Sequence, residues 1–157
     1  MEVSAVKPIA EATKTMQISH PKLGVINYSE DEVIFFPQGL LGFERKKYYI
    51  LVERDAYKPF IWMLNIDEPC LNFLMIEPLY FMPDYQPNIS KRELNELQID
   101  NPQSLRMYVI ITLDDDIHKS TGNLSAPILL NPKKKIGKQL VLLDDKYSTK
   151  YPIHKSE

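Results

Sequence analysis

A chain of 157 residues with 44% apolar and 25% charged residues has the size and composition of one globular domain, able to bury roughly 70% of the surface its unfolded form exposes. No stretch approaches the roughly 20 consecutive apolar residues of a membrane helix, residues 1–8 lack the apolar segment of a secretory signal, and the single Cys70 excludes an internal disulfide. These features place the protein in the cytoplasm with no membrane partner. The net charge of −2 hides an uneven distribution. Residues 59–90 contain no Lys, Arg or His but hold Asp67, Glu68, Glu77 and Asp84, whereas Lys133, Lys134, Lys135, Lys138, Lys146, Lys150 and Lys155 crowd the far end. An acidic middle and a basic end imply two differently charged faces.

Residues 1–14 mix Ala, Lys, Glu and Thr with few large apolar side chains and are expected to form a flexible extension, followed by a single β domain over 15–154. Residues 16–19 and 24–28 read as short strands around the turn His20-Pro21-Lys22-Leu23. The strand Val33-Ile34-Phe35-Phe36 must stop at Pro37, which has no amide to give a ladder. Gly39 and Gly42 then allow a corner, and Leu40, Leu41 and Phe43 are too apolar for a free loop, so the corner is expected to fold back on the core. A phosphate-cradling loop is disfavoured, because no Lys-Ser or Lys-Thr opens a helix after it.

Residues 48–52, 60–65 and 72–77 read as strands, the last ended by Pro78. The segment 78–87 differs in kind. Three prolines prevent regular pairing, while Tyr80, Phe81, Met82 and Tyr85 demand burial or a partner. Ser90-Lys91-Arg92-Glu93 has capping-box spacing and starts a helix over 91–98, with Leu94 and Leu97 on one side. Residues 105–113 alternate with period two and are apolar on both faces in the middle, which predicts a central strand. Residues 126–130 and 139–143 are expected to flank a hairpin connection over 131–138 with Gly137 near its exit, and a last strand to cover 151–153. Eight or nine short strands, frequent turns and one short helix predict a mainly β, antiparallel barrel or sandwich.

Chemistry is sparse. Cys70 follows Asp67 and Glu68, whose charges oppose a thiolate. His20, His118 and His154 have no metal-ligand spacing, and Asp114-Asp115-Asp116 are adjacent rather than alternate, so they read as a polar turn. Lys133–Lys138 on a hairpin could meet phosphates, giving an RNA- or single-strand-binding barrel as the alternative reading, but no aromatic platform is interleaved with the lysines. Elimination leaves protein binding. On that reading, Tyr80, Phe81, Met82, Asp84, Tyr85 and Gln86 are the candidate contacts: the three aromatics and Met82 are residue types of interface cores, Asp84 belongs to the acidic stretch, and the prolines limit the entropy lost on docking.

Four pieces in order, Phe36-Pro37-Gln38-Gly39-Leu40-Leu41-Gly42-Phe43-Glu44, Pro59-Phe60-Ile61-Trp62 with Asn72-Phe73 and Pro78, Asp84-Tyr85, and 121–131 with Gly137-Lys138-Gln139, together resemble the FliW family of flagellar assembly factors over about 16–153. The chain departs from that pattern at Leu41, at Met63-Leu64-Asn65 and at Ser125. The resemblance implies a small single-domain antiparallel β-barrel-like fold, no enzymatic activity and no cofactor, and a protein that is monomeric when free. It implies two partners: CsrA, a dimeric RNA-binding translational repressor that the family keeps from silencing flagellin mRNA, and flagellin itself. The protein would then make no direct contact with nucleic acid. Loop 78–87 is assigned to CsrA, and Pro37, Gly39, Gly42, Phe43, Asn123 and Pro127 to the architecture.

Overall fold

A computed structural model describes residues 15–143 and 145–153; the expectations for residues 1–14 and His154 lie outside the described residues. Among the described residues there are eleven short strands: β1 (Thr15–His20), β2 (Gly24–Ser29), β3 (Ile34–Phe35), β4 (Tyr48–Val52), β5 (Ile61–Asn65), β6 (Asn72–Ile76), β7 (Arg106–Thr112), β8 (Thr121–Gly122), β9 (Ile128–Asn131), β10 (Ile136–Gln139) and β11 (Tyr151–Pro152). An α-helix, α1 (Lys91–Glu96), lies between β6 and β7. Strands β7-β6-β5-β4-β3-β10-β9 pair in that order, and β9 pairs again with β7, which closes a seven-stranded barrel. All pairings are antiparallel except β3 with β10. The far end of β7 continues into β8 and β11. The mainly β, barrel-like fold expected from the sequence is the one observed.

Alternation along the strands sorts the side chains into an inside and an outside. Ile34, Phe36, Tyr49, Ile61, Met63, Met75, Ile128 and Leu130 fill the barrel. Residues of the opposite parity form its outer wall, and that wall is equally apolar because separate elements cover it. The β1–β2 hairpin lays Ile26 and Tyr28 over Ile50, Val52, Trp62 and Leu64. Leu97 and Ile99, at the end of α1 and just after it, cover Leu129. Phe81, Tyr85, Leu124 and Tyr147 cover Ile76, Val109 and Ile111. This double burial explains why 61–64 and 107–111 lack polar faces. β7 is central, bonded to β6, β8 and β9.

Five expectations need correction. The glycine corner takes the backbone conformation foreseen, φ +64° at Gly39 and +84° at Gly42, but only Leu40 folds inward. Leu41 and Phe43 are exposed, Phe43 meeting Phe73 edge-on at 5.7 Å. The second hairpin is shorter than expected. Asn131 Oδ1 accepts from the amides of Lys133 and Lys134 at 3.1 and 3.2 Å, and Lys135 takes φ +56°, so β10 begins at Ile136 rather than 139. Gly137 is therefore a strand residue. A Cβ there would lie 2.5 Å from Phe36 Cζ, so the glycine makes room for a core ring. Finally, α1 ends at Glu96 because Gln98 adopts φ +57°. Ser90 Oγ accepts from the Glu93 amide at 3.2 Å, but the Glu93 carboxylate turns to Lys138 Nζ at 2.7 Å.

Candidate protein-docking site

β6 ends where Pro78 removes a donor, and the chain turns through a 3-10 helix, Pro78–Tyr80. The amides of Tyr80 and Phe81 donate to the carbonyls of Glu77 and Pro78 at 3.1 and 3.2 Å, and the Tyr85 amide to that of Met82 at 3.0 Å. This tight winding separates the aromatics. Phe81 and Tyr85, four apart, point into the molecule; Leu79 and Tyr80 point out, 56% and 64% exposed. Pro83, Asp84 and Gln86 are also exposed, and Met82 is half-buried.

The inward pair fixes the loop. The Tyr85 hydroxyl donates to the Leu124 carbonyl at 2.6 Å, its ring meets Tyr147 edge-on at 4.6 Å, and the Gln86 amide donates to the Tyr147 hydroxyl at 3.0 Å. Burial, with Tyr147 beside it, holds the Tyr85 phenol well above its usual pKa, so it stays a neutral donor. Phe81 packs on Tyr151 at 5.8 Å. Of the six candidate contacts, Phe81 and Tyr85 are thus core residues with no face to offer a partner, and Met82 offers part of one. Tyr80, Asp84 and Gln86 remain outside, joined by Leu79, which the sequence reading did not single out although it sits in the same proline-started turn as Tyr80.

The architectural residues do separable jobs. A Cβ on Gly39 would lie 2.6 Å from the carbonyl oxygens of Phe43 and Glu44. The Pro37 carbonyl accepts from Lys47 Nζ at 2.6 Å, Asn123 Oδ1 from the Ser125 amide at 3.1 Å, and the carbonyl of buried Pro127 from the Leu140 amide at 2.9 Å. Two further asparagines carry structure that the sequence reading passed over. Buried Asn65 donates to the Tyr48 carbonyl at 3.2 Å and accepts from the amides of Asp67 and Glu68 at 3.0 and 2.9 Å. Buried Asn131 donates to the Leu97 and Gln98 carbonyls at 2.8 and 3.1 Å, tying α1 to the hairpin. An Asn followed by a turn is their common signal in sequence.

The charges are less free than the sequence suggests. Glu68 pairs with Lys46. Lys138 is not available to phosphate: its Nζ sits 2.7 Å from Glu93 and 2.8 Å from Glu96, with 17% of the side chain exposed. Burial alone would lower the Lys138 pKa, but the hydrogen bonds to Glu93 and Glu96 outweigh it and raise it overall. That leaves Lys133 and Lys134 as the exposed members of the basic run, Lys135 being half-buried.

A shallow cavity of about 410 Å³ brings His20, Trp62, Cys70 and Asn72 together with Phe73 and Ile110. His20 Nδ1 accepts from the amides of Lys22 and Leu23 at 3.1 and 3.2 Å, and burial lowers its pKa. It is a neutral ring closing its own turn, set edge-on to Trp62 at 5.1 Å. Among the described residues, no three His, Cys, Asp or Glu side chains gather to hold a metal ion, and no helix is long and apolar enough to cross a membrane.

Residues 17–153 match the family model described as FliW protein. The chain is 39% identical over 139 residues to the flagellar assembly factor FliW of Thermoanaerobacter pseudethanolicus, covering 88% of this chain and 93% of that protein. It is 37% identical over 141 residues to the one from Syntrophus aciditrophicus, covering 90% and 89%. A crystal structure of the flagellar assembly factor FliW superposes with a TM-score of 0.85 at 33% identity, covering 90% of this chain and 99% of that one. With a closed barrel, three outer covers and a sequence match that runs through all of them, the chain belongs to the FliW family of flagellar assembly factors.

Proposed function

We propose that this flagellar assembly factor works in the cytoplasm, as a monomer and without catalysis or a cofactor, by binding CsrA and relieving its repression of flagellin mRNA. It also binds flagellin, so that export of flagellin frees the factor to act on CsrA and couples synthesis to secretion. One observation carries the proposal: Leu79 and Tyr80 stand exposed beside Asp84 and Gln86 on a loop whose other aromatics are anchored in the core. A large ring on a backbone already held in place loses little freedom on docking, which favours it as an interface anchor. The acidic groups of the loop and its surroundings, Glu77 and Asp84, suit the basic surface expected of an RNA-binding repressor, and they act mainly on encounter rate and partner choice.

The test is a fluorescent flagellin-leader RNA bound to CsrA and titrated with the protein. RNA is expected to be released as the protein is added and recaptured when flagellin follows. The protein alone should leave the RNA unshifted on a gel at low salt, where phosphate contacts are strongest. RNA that stays on CsrA, or that binds the protein directly, contradicts the proposal.

A further inference from the structure

Three elements cover the barrel wall from outside, yet one strip stays bare. On neighbouring strands β3 and β4, Phe35 and Tyr48 are 37% and 45% exposed. Their rings stack 5.2 Å apart with 25° between planes. Together with Met16, Val33, Ile66 and Glu30 they line a groove of about 410 Å³. Met16, Val33 and Ile66 are half-buried against the cluster under the β1–β2 hairpin, whereas Phe35 and Tyr48 face solvent.

The charge around this groove is lopsided. Glu30, Asp31 and Glu32 form one exposed turn, and among the described residues none of them has an ion-pair partner. Asp67, next to Ile66, is exposed as well. The two lysines preceding Tyr48 are already engaged, Lys46 by Glu68 and Lys47 by the Pro37 carbonyl. On the side of β3 away from β4, the Phe35 amide donates to the Lys135 carbonyl at 2.9 Å, which sets the lysine turn 133–135 along that border. The groove therefore has an aromatic floor, an acidic margin and a basic one.

We propose that this groove is a second protein-docking site, which takes a polypeptide segment carrying an apolar anchor next to a Lys or Arg. The stacked rings offer apolar area and π-faces that attract a cation within about 6 Å. The carboxylates of the Glu30 turn, of which Asp31 and Glu32 accept hydrogen bonds from Ser29 but hold no cation, fix where the cation lies, and the lysine turn repels a second one at the other border, so the segment binds in one direction. Loop 78–87 lies over β6 and β7, across the barrel from β3 and β4. The groove and that loop are therefore separate surfaces.

The probes are three short synthetic peptides followed by anisotropy and by amide chemical-shift mapping on the full chain: one alternating Lys and Leu, one with Glu for Lys, one with Ser for Leu. The Lys-Leu peptide is expected to bind and to shift the amides of Glu30, Phe35 and Tyr48, the other two at least about tenfold more weakly. Phe35→Ser with Tyr48→Ser should weaken binding by about tenfold, as should the exposed charge reversal Glu30→Lys. Tyr80→Ala should leave it unchanged, which separates this site from the proposed CsrA loop. Equal binding of the Glu-Leu peptide, shifts confined elsewhere, shifts of these amides with protein concentration alone, or the same shifts produced by a single-stranded RNA would each overturn the proposal.

Discussion

Tyr80 and Tyr85 stand five positions apart on one loop and are put to opposite uses. Tyr85→Phe removes a buried donor and strands the Leu124 carbonyl, which is expected to cost about 1–2 kcal/mol and lower the melting temperature by roughly 3–6 °C. Tyr80→Ala, at an exposed ring, should leave it nearly unchanged. Four phenols, Tyr28, Tyr49, Tyr85 and Tyr108, are raised above the usual value of 10.0 by burial, Tyr49 to about 12. Asn65 bears on the Tyr49 hydroxyl, but its amide is given to the Tyr48 carbonyl, and the buried hydroxyl has no partner. A phenol that keeps its proton longer when folded stabilises the fold fully below pH 10 and loses that contribution as pH rises toward the folded value. Urea melts should show stability falling above pH 10, less steeply in Tyr85→Phe. The glycines allow a matched pair: Gly42 meets nothing within 4 Å whereas Gly39 has no room for a Cβ. Gly42→Ala should cost about 1 kcal/mol of conformational strain, and Gly39→Ala clearly more.

Among the elements, α1 is six residues long, too short to persist alone. It is held by burial of Leu97, by Asn131 and by the Lys138 pair with Glu93 and Glu96. Lys138→Ala leaves the nearly buried Glu93 carboxylate, 11% exposed, without its cation. It is expected to destabilise the protein by roughly 3 kcal/mol, with hydrogen exchange rising first in 91–98. Hydrogen bonding and charge from Lys138 lower the pKa of Glu96. The pairing is complete above the ordinary carboxylate value of 4.5 and is lost as pH falls through the lowered one, so α1 should loosen in acid before the barrel does.

The legible elements in the sequence are those whose signal is local. Pro37 and Pro78 end strands, Ser90 starts the helix, and 48–52 and 105–113 keep a pattern long enough to read. What misled was long-range. The turn at Asn131 needs its amide docked on α1, so no window of sequence shows that β10 starts at Ile136. Glu93 matches a capping box yet finds a better partner 45 residues away. Aromatic content marked loop 78–87 as exceptional but could not tell Tyr80 from Tyr85, because inside and outside there depend on a 3-10 turn and on Leu124 and Tyr147.

At the scale of the whole molecule, a small barrel filled by its own side chains, with most of its outer wall covered by a hairpin, a helix end and loops, leaves recognition to what those covers turn outward and to the strip they leave bare. The double coverage makes the loop surface separable from stability, since Leu79, Tyr80, Asp84 and Gln86 can change without touching the core. The most direct measurement is calorimetric titration of CsrA into the wild-type protein and into Tyr80→Ala with Asp84→Lys, each with its melting temperature recorded. Binding weakened by at least about tenfold at an unchanged melting temperature is the expected result. Equal affinity in the two proteins would contradict the assignment of loop 78–87 to CsrA.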